Sequence, residues 1–333
     1  MNAHRDTTIA ILMFMGVLLG NVIIFTIVPF LSAPDLAELR IHAGQMLGFT
    51  FPDIHAVDPA IGQPLVAPIH AFQIMLCYSA IAVACMLPWA FKQGLAGLKT
   101  TRLKDYTARG LLEYGSFTLS FYSLGYLGEY FTLPMHTALN FITPIFATLA
   151  TIFILKERSH LHTWVALIAG IAGVLIITRP GMIPLSPGVF YVLGAALGFS
   201  LCGVVIKRLC STESSQHIAF YMLAMTTVLA LPLGLTHWVN PGLDGWFWLT
   251  LIGVIAFLQQ VYVARAIAKV PFMVLIPINF VSLVFSTVAS YLVYGRLIDQ
   301  WTLGGAVIIL LSTVYNANRN RAMAREVQVA EVV

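Results

Sequence analysis

From Thr7 to Pro34 the chain runs without a single Lys, Arg, Asp or Glu, and a second charge-free run extends from Ile218 to Gly242. A helix of about 20 predominantly apolar residues crosses the hydrocarbon core of a bilayer. Similar runs recur along the whole chain. Charged residues make up 10% of the 333 and hydrophobic ones 59%, whereas a soluble domain carries about 25% charged residues. So few charges would not cover the surface of a soluble fold. A soluble enzyme, a nucleic-acid binder, a secreted disulfide scaffold and a disordered chain are excluded. The expected class is an all-α integral membrane protein.

The four cysteines, Cys77, Cys85, Cys202 and Cys210, lie in or beside apolar segments with no CxxC pair, and read as buried thiols. The first apolar run is preceded by only Arg5 as a basic residue and ends at Phe30-Leu31-Ser32-Ala33, a poor cleavage site, so an uncleaved first span is expected.

Ten apolar segments emerge: residues 8–31, 70–91, 109–127, 131–155, 162–178, 187–207, 217–236, 246–266, 270–294 and 301–318. Turn residues such as Arg179-Pro180-Gly181 and Asn240-Pro241-Gly242 join most of them. Basic residues collect in cytoplasmic loops. With an inside N-terminus, fifteen of the eighteen Lys and Arg fall on the cytoplasmic side, leaving Arg40, Arg179 and Arg296 outside. This split fixes an even span count with both termini cytoplasmic, and makes the net charge of +4 a matter of topology rather than of a nucleic-acid partner.

Shifting the chain by 139 residues aligns Leu139-Asn140-Phe141-Ile142-Thr143 with Ile278-Asn279-Phe280-Val281-Ser282, and Phe146, Thr148 and Ala150 with Phe285, Thr287 and Ala289. An offset of 178 sets Gly16 and Gly20 on Gly194 and Gly198. Five spans per copy is an odd number, so the second copy enters the membrane from the opposite side, the arrangement typical of secondary transporters. The organisation expected is a first repeat over 1–181, including a long outer loop at 32–69, a second over 182–318, and a cytoplasmic tail at 319–333.

The run Phe121-Tyr122-Ser123-Leu124-Gly125-Tyr126-Leu127 and the segments Thr143-Pro144-Ile145-Phe146, Leu155-Lys156-Glu157-Arg158, Gly170-Ile171-Ala172-Gly173-Val174 and Arg179-Pro180-Gly181 occur in order in the first half. Tyr291-Leu292-Val293-Tyr294-Gly295-Arg296 and Trp301-Thr302-Leu303-Gly304-Gly305-Ala306 close the second. Over about residues 70–318 this pattern resembles the drug/metabolite transporter superfamily, EamA type. The resemblance implies two inverted five-helix bundles in a bacterial inner membrane, with a central cavity for amino acids, nucleotide-sugars, S-adenosylmethionine, organic acids or drugs. Two departures stand out: Arg296 replaces the family's usual glutamate, and the first outer loop is unusually long.

No HExxH, Gly-x-Ser-x-Gly, phosphate-cradling glycine loop or Cys/His set is present, so neither enzymatic activity nor a cofactor or metal is expected. Recognition is expected from polar groups inside spans, which are costly in hydrocarbon. Asn140 and Asn279, equivalent in the repeat, suit either substrate contact or interhelical bonding. His136 shares the helix face of Asn140 one turn away, as a ligand group or a packed histidine. Glu113 reads as a proton-coupling carboxylate, a counter-charge for a cationic solute, or the ion-pair partner of Arg109 at i−4. Of Gln259 and Gln260, one can face a cavity while the other bonds a neighbouring helix. Tyr114, Phe117, Phe121 and Tyr122 offer a ringed face for a planar or cationic ligand, or ordinary packing.

Pro144 and Pro277 are expected to unwind spans four and nine. Gly16, Gly20, Gly194 and Gly198 read as close-packing sites. In the long loop, Leu36, Leu39, Ala43 and Leu47 form a stripe suited to a short amphipathic helix. Asp53, His55 and Asp58 form only a weak metal pattern. The function expected is secondary transport of a small polar metabolite, amino-acid-derived or S-adenosylmethionine-like. Its partners would be the solute, the lipid bilayer and protons as coupling ion, and the protein a monomer or homodimer. Export of an organic acid or drug-like compound, and a lipid-carrier flippase or assembly subunit, are the alternatives.

Overall fold

With no water in hydrocarbon to bond the backbone, an apolar run must close its hydrogen bonds within the protein, and the described parts of these runs are mainly α-helix. The computed structural model describes residues 2–32, 69–97, 100–154, 161–209, 213–269, 278–279 and 281–332. Among these there are eleven helices: α1 (Asn2–Ser32), α2 (Ala71–Gly97), α3 (Leu103–Leu124), α4 (Leu133–Asn140), α5 (Thr143–Ile154), α6 (Leu161–Thr178), α7 (Pro187–Leu209), α8 (Ser215–Thr236), α9 (Gly242–Lys269), α10 (Val281–Tyr294) and α11 (Gln300–Val332). The outer-loop stripe, the trio Asp53, His55 and Asp58, the segment Lys156-Glu157-Arg158 and Pro277 lie outside the described residues.

Among the described residues, seven stretches are long and apolar enough to cross a membrane: Ile11–Pro29, Ala71–Gly94, Leu133–Ile154, Leu161–Thr178, Pro187–Ile206, Gln216–Thr236 and Gly245–Val263. The shorter apolar helix Val281–Tyr294 adds to them. The protein is therefore a multi-pass helical membrane protein. The helices α4 and α5 share one of these stretches and are separated only by Phe141 and Ile142.

Local signals set the ends. The Thr132 hydroxyl accepts from the Met135 N–H at 3.3 Å, with Pro134 in the first turn of α4. Ser214 accepts from the His217 N–H at 3.3 Å to start α8. Asp299 accepts from the Thr302 N–H at 3.2 Å to start α11, and its other carboxylate oxygen lies 2.6 Å from Arg179 at the end of α6. Arg179 itself has a left-handed φ of 45°, followed by Gly181 at 87°, which turns the chain into α7.

The main helix pairings are α6 with α11, α3 with α7, α1 with α9, α2 with α8, α9 with α2, α3 with α8, α5 with α7, α1 with α10 and α4 with α10. Small residues set the closest of these. A Cβ on Gly173 would meet the Gly305 carbonyl oxygen at 2.9 Å, so α6 and α11 touch backbone to backbone. A Cβ on Gly20 would meet Gln259 Nε2 at 2.8 Å and Ile255 at 3.0 Å, and one on Gly198 would collide with Ser116. Gly194 has Leu119 at 3.3 Å, whereas Gly16 is in ordinary contact with Tyr262 at 3.9 Å. Among the described residues the two largest apolar cores lie around Ile74, Leu124, Leu249 and Ile252, and around Leu139, Ile142, Ile177 and Leu283.

Candidate functional site

The fourth crossing is broken at its centre. A helix carbonyl accepts from the N–H four residues later. Residue 144 is proline, so the Asn140 carbonyl has no such donor. The Thr143 hydroxyl donates to it instead at 2.7 Å, and the chain turns through Phe141 and Ile142 before α5 begins. Asn279 stands just ahead of α10 in the same register: its carbonyl accepts from the Ser282 hydroxyl at 2.6 Å and from the Ser282 N–H at 3.0 Å. Leu283 packs in one cluster with Leu139 and Ile142, so the first turn of α10 lies against the break in the fourth crossing.

A polar line leads to that break. The Asn140 side-chain amide donates to the His136 carbonyl at 3.0 Å, which fixes the amide orientation, and the same Nδ2 lies 3.5 Å from His136 Nδ1. With Nδ1 accepting, the ring proton sits on Nε2 and is donated to Ser120 Oγ at 3.1 Å. His136 is 0% exposed and Phe25 of α1 meets its ring edge-on at 5.0 Å. One turn before Phe25, Asn21 accepts from Gln259 Nε2 at 3.0 Å, and the same nitrogen donates to the Val17 carbonyl at 3.0 Å. One face of α1 thus touches the His136 group through Phe25 and the Gln259 group through Asn21.

Gln260, the neighbouring amide, points elsewhere: its Nε2 lies 3.7 Å from Met222 Sδ on α8. Arg109 Nη2 donates to the same sulfur at 3.1 Å and stands 3.4 Å from Glu113 Oε2. Both charged side chains are buried, so the i, i+4 ion pair expected from the spacing is formed inside the bundle.

The aromatic face of α3 divides. Phe117 and Phe121 pack with Tyr78, and Phe117 also meets Phe199 edge-on at 5.0 Å. Tyr114 is buried and stacks on Phe72 at 6.5 Å. Through Phe72, Tyr114 connects to a cluster that holds Tyr122, at the end of the bundle where α2 begins and α8 ends: the Tyr122 hydroxyl is 3.1 Å from His70 Nε2, and the His70 ring stacks on His237 at 4.4 Å. Tyr191 of α7 completes this cluster by stacking on Tyr126 at 5.6 Å. Beside it the Gln73 side chain pairs with the Val239 backbone in both directions, at 2.6 and 2.9 Å.

Sequence reasoning did not single out Asn21, Ser120, His70 or His237 as site groups. The signal for Asn21 was present, as the one amide side chain within Thr7 to Pro34. His70 and His237 sit at helix ends and gain meaning only once α2 and α8 pair. No group of three or more His, Cys, Asp or Glu poised for a metal occurs among the described residues. The arrangement supplies neutral hydrogen-bond donors and acceptors with one ion pair, equipment for holding a polar solute.

Crossing helices with polar groups buried at a broken span define a membrane transporter, and comparison with known proteins agrees. The model of the EamA-like transporter family matches residues 42–179 and again 186–317. The chain belongs to the EamA-like transporter family. It is a non-enzymatic transporter. It is 25% identical over 262 residues to an S-adenosylmethionine uptake transporter of Rickettsia prowazekii, covering 78% of this chain and 87% of that one. It is 28% identical over 246 residues to a riboflavin transporter of Vibrio cholerae, covering 73% and 81%. It is 25% identical over 283 residues to a pseudopaline exporter of Pseudomonas aeruginosa, covering 84% and 96%. One solved crystal structure shares the fold over 97% of this chain and 98% of its own, with a TM-score of 0.52 at 15% identity.

Proposed function

We propose that this protein is a ten-span secondary transporter of two inverted five-helix repeats, moving a small polar metabolite across the bacterial inner membrane by alternating access. The solute class is amino-acid-derived or S-adenosylmethionine-like, both termini are cytoplasmic, and protons are the coupling ion. Asn140, Asn279, His136, Gln259, Gln260 and Glu113 line the solute path, with Tyr114, Phe117, Phe121 and Tyr122 as its aromatic wall.

The observation that carries this reading is the hydrogen-bonded line from buried Ser120 and His136 to half-buried Asn140, at a break in a membrane-crossing helix. Freed backbone and polar side chains at membrane depth are tolerated where protein or a solute cavity surrounds them. The helix pairings support the repeat. Exchanging each span for its partner five spans away turns α3–α7 into α9–α1, α3–α8 into α9–α2 and α5–α7 into α10–α1, and all six pairings occur. Residue contacts agree with both sequence offsets: Gly198 meets Ser116, and Gly20, its equivalent, meets Ile255, the equivalent of Ser116. The similarity to S-adenosylmethionine uptake transporters favours the solute class. The similarity to the pseudopaline exporter favours export as the second direction.

The test is uptake and efflux of a labelled metabolite panel, with S-adenosylmethionine and riboflavin included, in proteoliposomes with and without a pH gradient. Saturable movement of at least one solute, impaired in Asn140→Ala and Asn279→Ala with folded protein retained, is expected. Movement of no solute in either direction overturns the transport reading. Normal transport in both variants overturns the site assignment.

A further inference from the structure

Arg109 is 6% exposed, and its ion pair with Glu113 is single-pronged and long at 3.4 Å. Nη1 reaches the Ile218 carbonyl at 3.4 Å, Nη2 lies 3.4 Å from Glu113 and 3.1 Å from Met222 Sδ, and Nε has no hydrogen-bond partner. Guanidinium–carboxylate pairs with a structural role are commonly two-pronged, at about 2.7–2.9 Å. A thioether sulfur is a weak acceptor. The Gln260 amide, arriving from α9, ends on the same sulfur at 3.7 Å. Two good donors, one permanently charged, thus converge inside the bundle on one of the poorest acceptors a protein offers. Leaving a buried cation so loosely satisfied is costly, and the donor set is the one a carboxylate would satisfy.

We propose that Arg109 and Gln260 receive the carboxylate of the solute, replacing the Met222 sulfur as their acceptor, and that Glu113, one turn along α3, receives its ammonium group. The ligand is then an α-amino carboxylate zwitterion, which deepens the transport reading above and rests on it for the solute. Charge balance makes the selection. Arg109 and Glu113 already neutralise one another, so a zwitterion enters without adding net charge, whereas a lone acid or a lone amine leaves one charge uncompensated in a dry site. The carboxylate presents two oxygens to the planar guanidinium fork, and the ammonium presents three donors to Glu113. Met222, 2% exposed in the packed core, is unbranched and has alternative rotamers through which its sulfur can leave the two donors. The three helices involved, α3, α8 and α9, are packed on one another through the pairs α3–α8 and α8–α9, so ligand binding there bears directly on how they are held together.

The test uses the purified full chain in two formats, thermal stabilisation by ligand in detergent and uptake in proteoliposomes. The probes are the common L-amino acids, S-adenosylmethionine, and 5′-methylthioadenosine, which keeps the nucleoside and lacks the amino-acid head. Stabilisation by at least one zwitterion and none by the headless nucleoside is expected. Arg109→Lys, which keeps the charge, and Gln260→Leu should each weaken that zwitterion by about tenfold or more. Size-exclusion profiles confirm that each variant is folded.

Zwitterion binding unchanged in Arg109→Lys and Gln260→Leu overturns the site, as does equal stabilisation by 5′-methylthioadenosine. If a solute moves but without need of a carboxylate or of Arg109, the site fails and transport stands. If nothing moves in vesicles yet a zwitterion stabilises the protein through Arg109, transport fails and the site stands. Neither stabilisation nor uptake by any zwitterion overturns the site together with its solute class.

Discussion

The Asn140 carbonyl and the Thr143 hydroxyl are 2.7 Å apart, and Pro144 has no N–H to offer that carbonyl. One proline thus ends α4, one threonine satisfies the acceptor it orphans, and the asparagine whose side chain bonds back to His136 is held at the break. The Asn279 carbonyl and the Ser282 hydroxyl, 2.6 Å apart, repeat the satisfaction without a proline at the corresponding place, which is Leu283.

Pro144→Ala should heal the break. The restored N–H would bond the Asn140 carbonyl, letting α4 and α5 run on, a gain of about 1 kcal/mol for that one backbone bond. Higher thermal stability with reduced uptake is expected. Thr143→Ala should cost about 1 kcal/mol in the parent protein, where its hydroxyl is the substitute donor. It should cost much less in the Pro144→Ala background, so a double-mutant cycle in thermal denaturation reads the coupling directly. Additive effects would show that the proline and the threonine act separately.

The contact between α6 and α11 makes a second prediction through neighbouring glycines. Gly305→Ala would drive its Cβ to 2.5 Å from the Gly173 carbonyl oxygen, a backbone atom that cannot step aside. Overpacking of this kind costs about 1–3 kcal/mol. Gly304→Ala meets nothing within 4 Å and should be neutral or slightly stabilising. Comparing melting temperatures of the two purified variants tests the pairing. Equal effects would mean that the helices do not meet at Gly305.

The contrast between Gly304 and Gly305 also marks where sequence reading stops. The class of protein followed from Thr7 to Pro34 and its like, because hydrocarbon permits so few backbone solutions. Laying Leu139-Asn140 on Ile278-Asn279 pairs Thr143 with Ser282, and each of these hydroxyls bonds the asparagine carbonyl three residues earlier. The ion pair of Arg109 and Glu113 was legible because four residues along a helix is a local distance. Partners across helices were not: nothing local joins Asn21 to Gln259 or His70 to His237, since these pairings exist only once α1 meets α9 and α2 meets α8. Likewise, the aromatic spacing of span three gave no sign that Tyr122 parts company with Phe117 and Phe121.

The line Ser120–His136 is a third place for measurement. Both side chains are fully buried, so His136→Leu strands the Ser120 hydroxyl in an apolar setting, at about 1–3 kcal/mol for the orphaned group. Ser120→Ala alone should cost less, because His136 keeps its contact with Asn140. The double variant should be destabilised by less than the sum of the two. Thermal denaturation of all three gives the coupling, and strict additivity would remove the hydrogen bond from the account.

The stacked pair His70 and His237 should make one end of the bundle acid-sensitive. His70 lies just ahead of the membrane stretch Ala71–Gly94 and is held below the ordinary histidine range, first by burial and then by the neighbouring His237 ring. Its Nδ1 accepts from the Phe72 N–H at 3.3 Å and its Nε2 faces the Tyr122 hydroxyl, so a second ring proton would meet a donor. The rings packed around it, Phe72 of α2, Tyr122 of α3 and His237 of α8, bring no carboxylate to offset an imidazolium. A depressed histidine leaves stability untouched above its unperturbed pKa, because both states are then neutral. Below about pH 6.5 the open state takes up the proton first, and the packed arrangement loses stability as the pH falls further. Melting temperatures of the parent protein and of His70→Gln, compared from about pH 7.5 down to about pH 5, should converge on acidification, with the parent falling more steeply. Parallel curves would show that the stack carries none of the pH dependence.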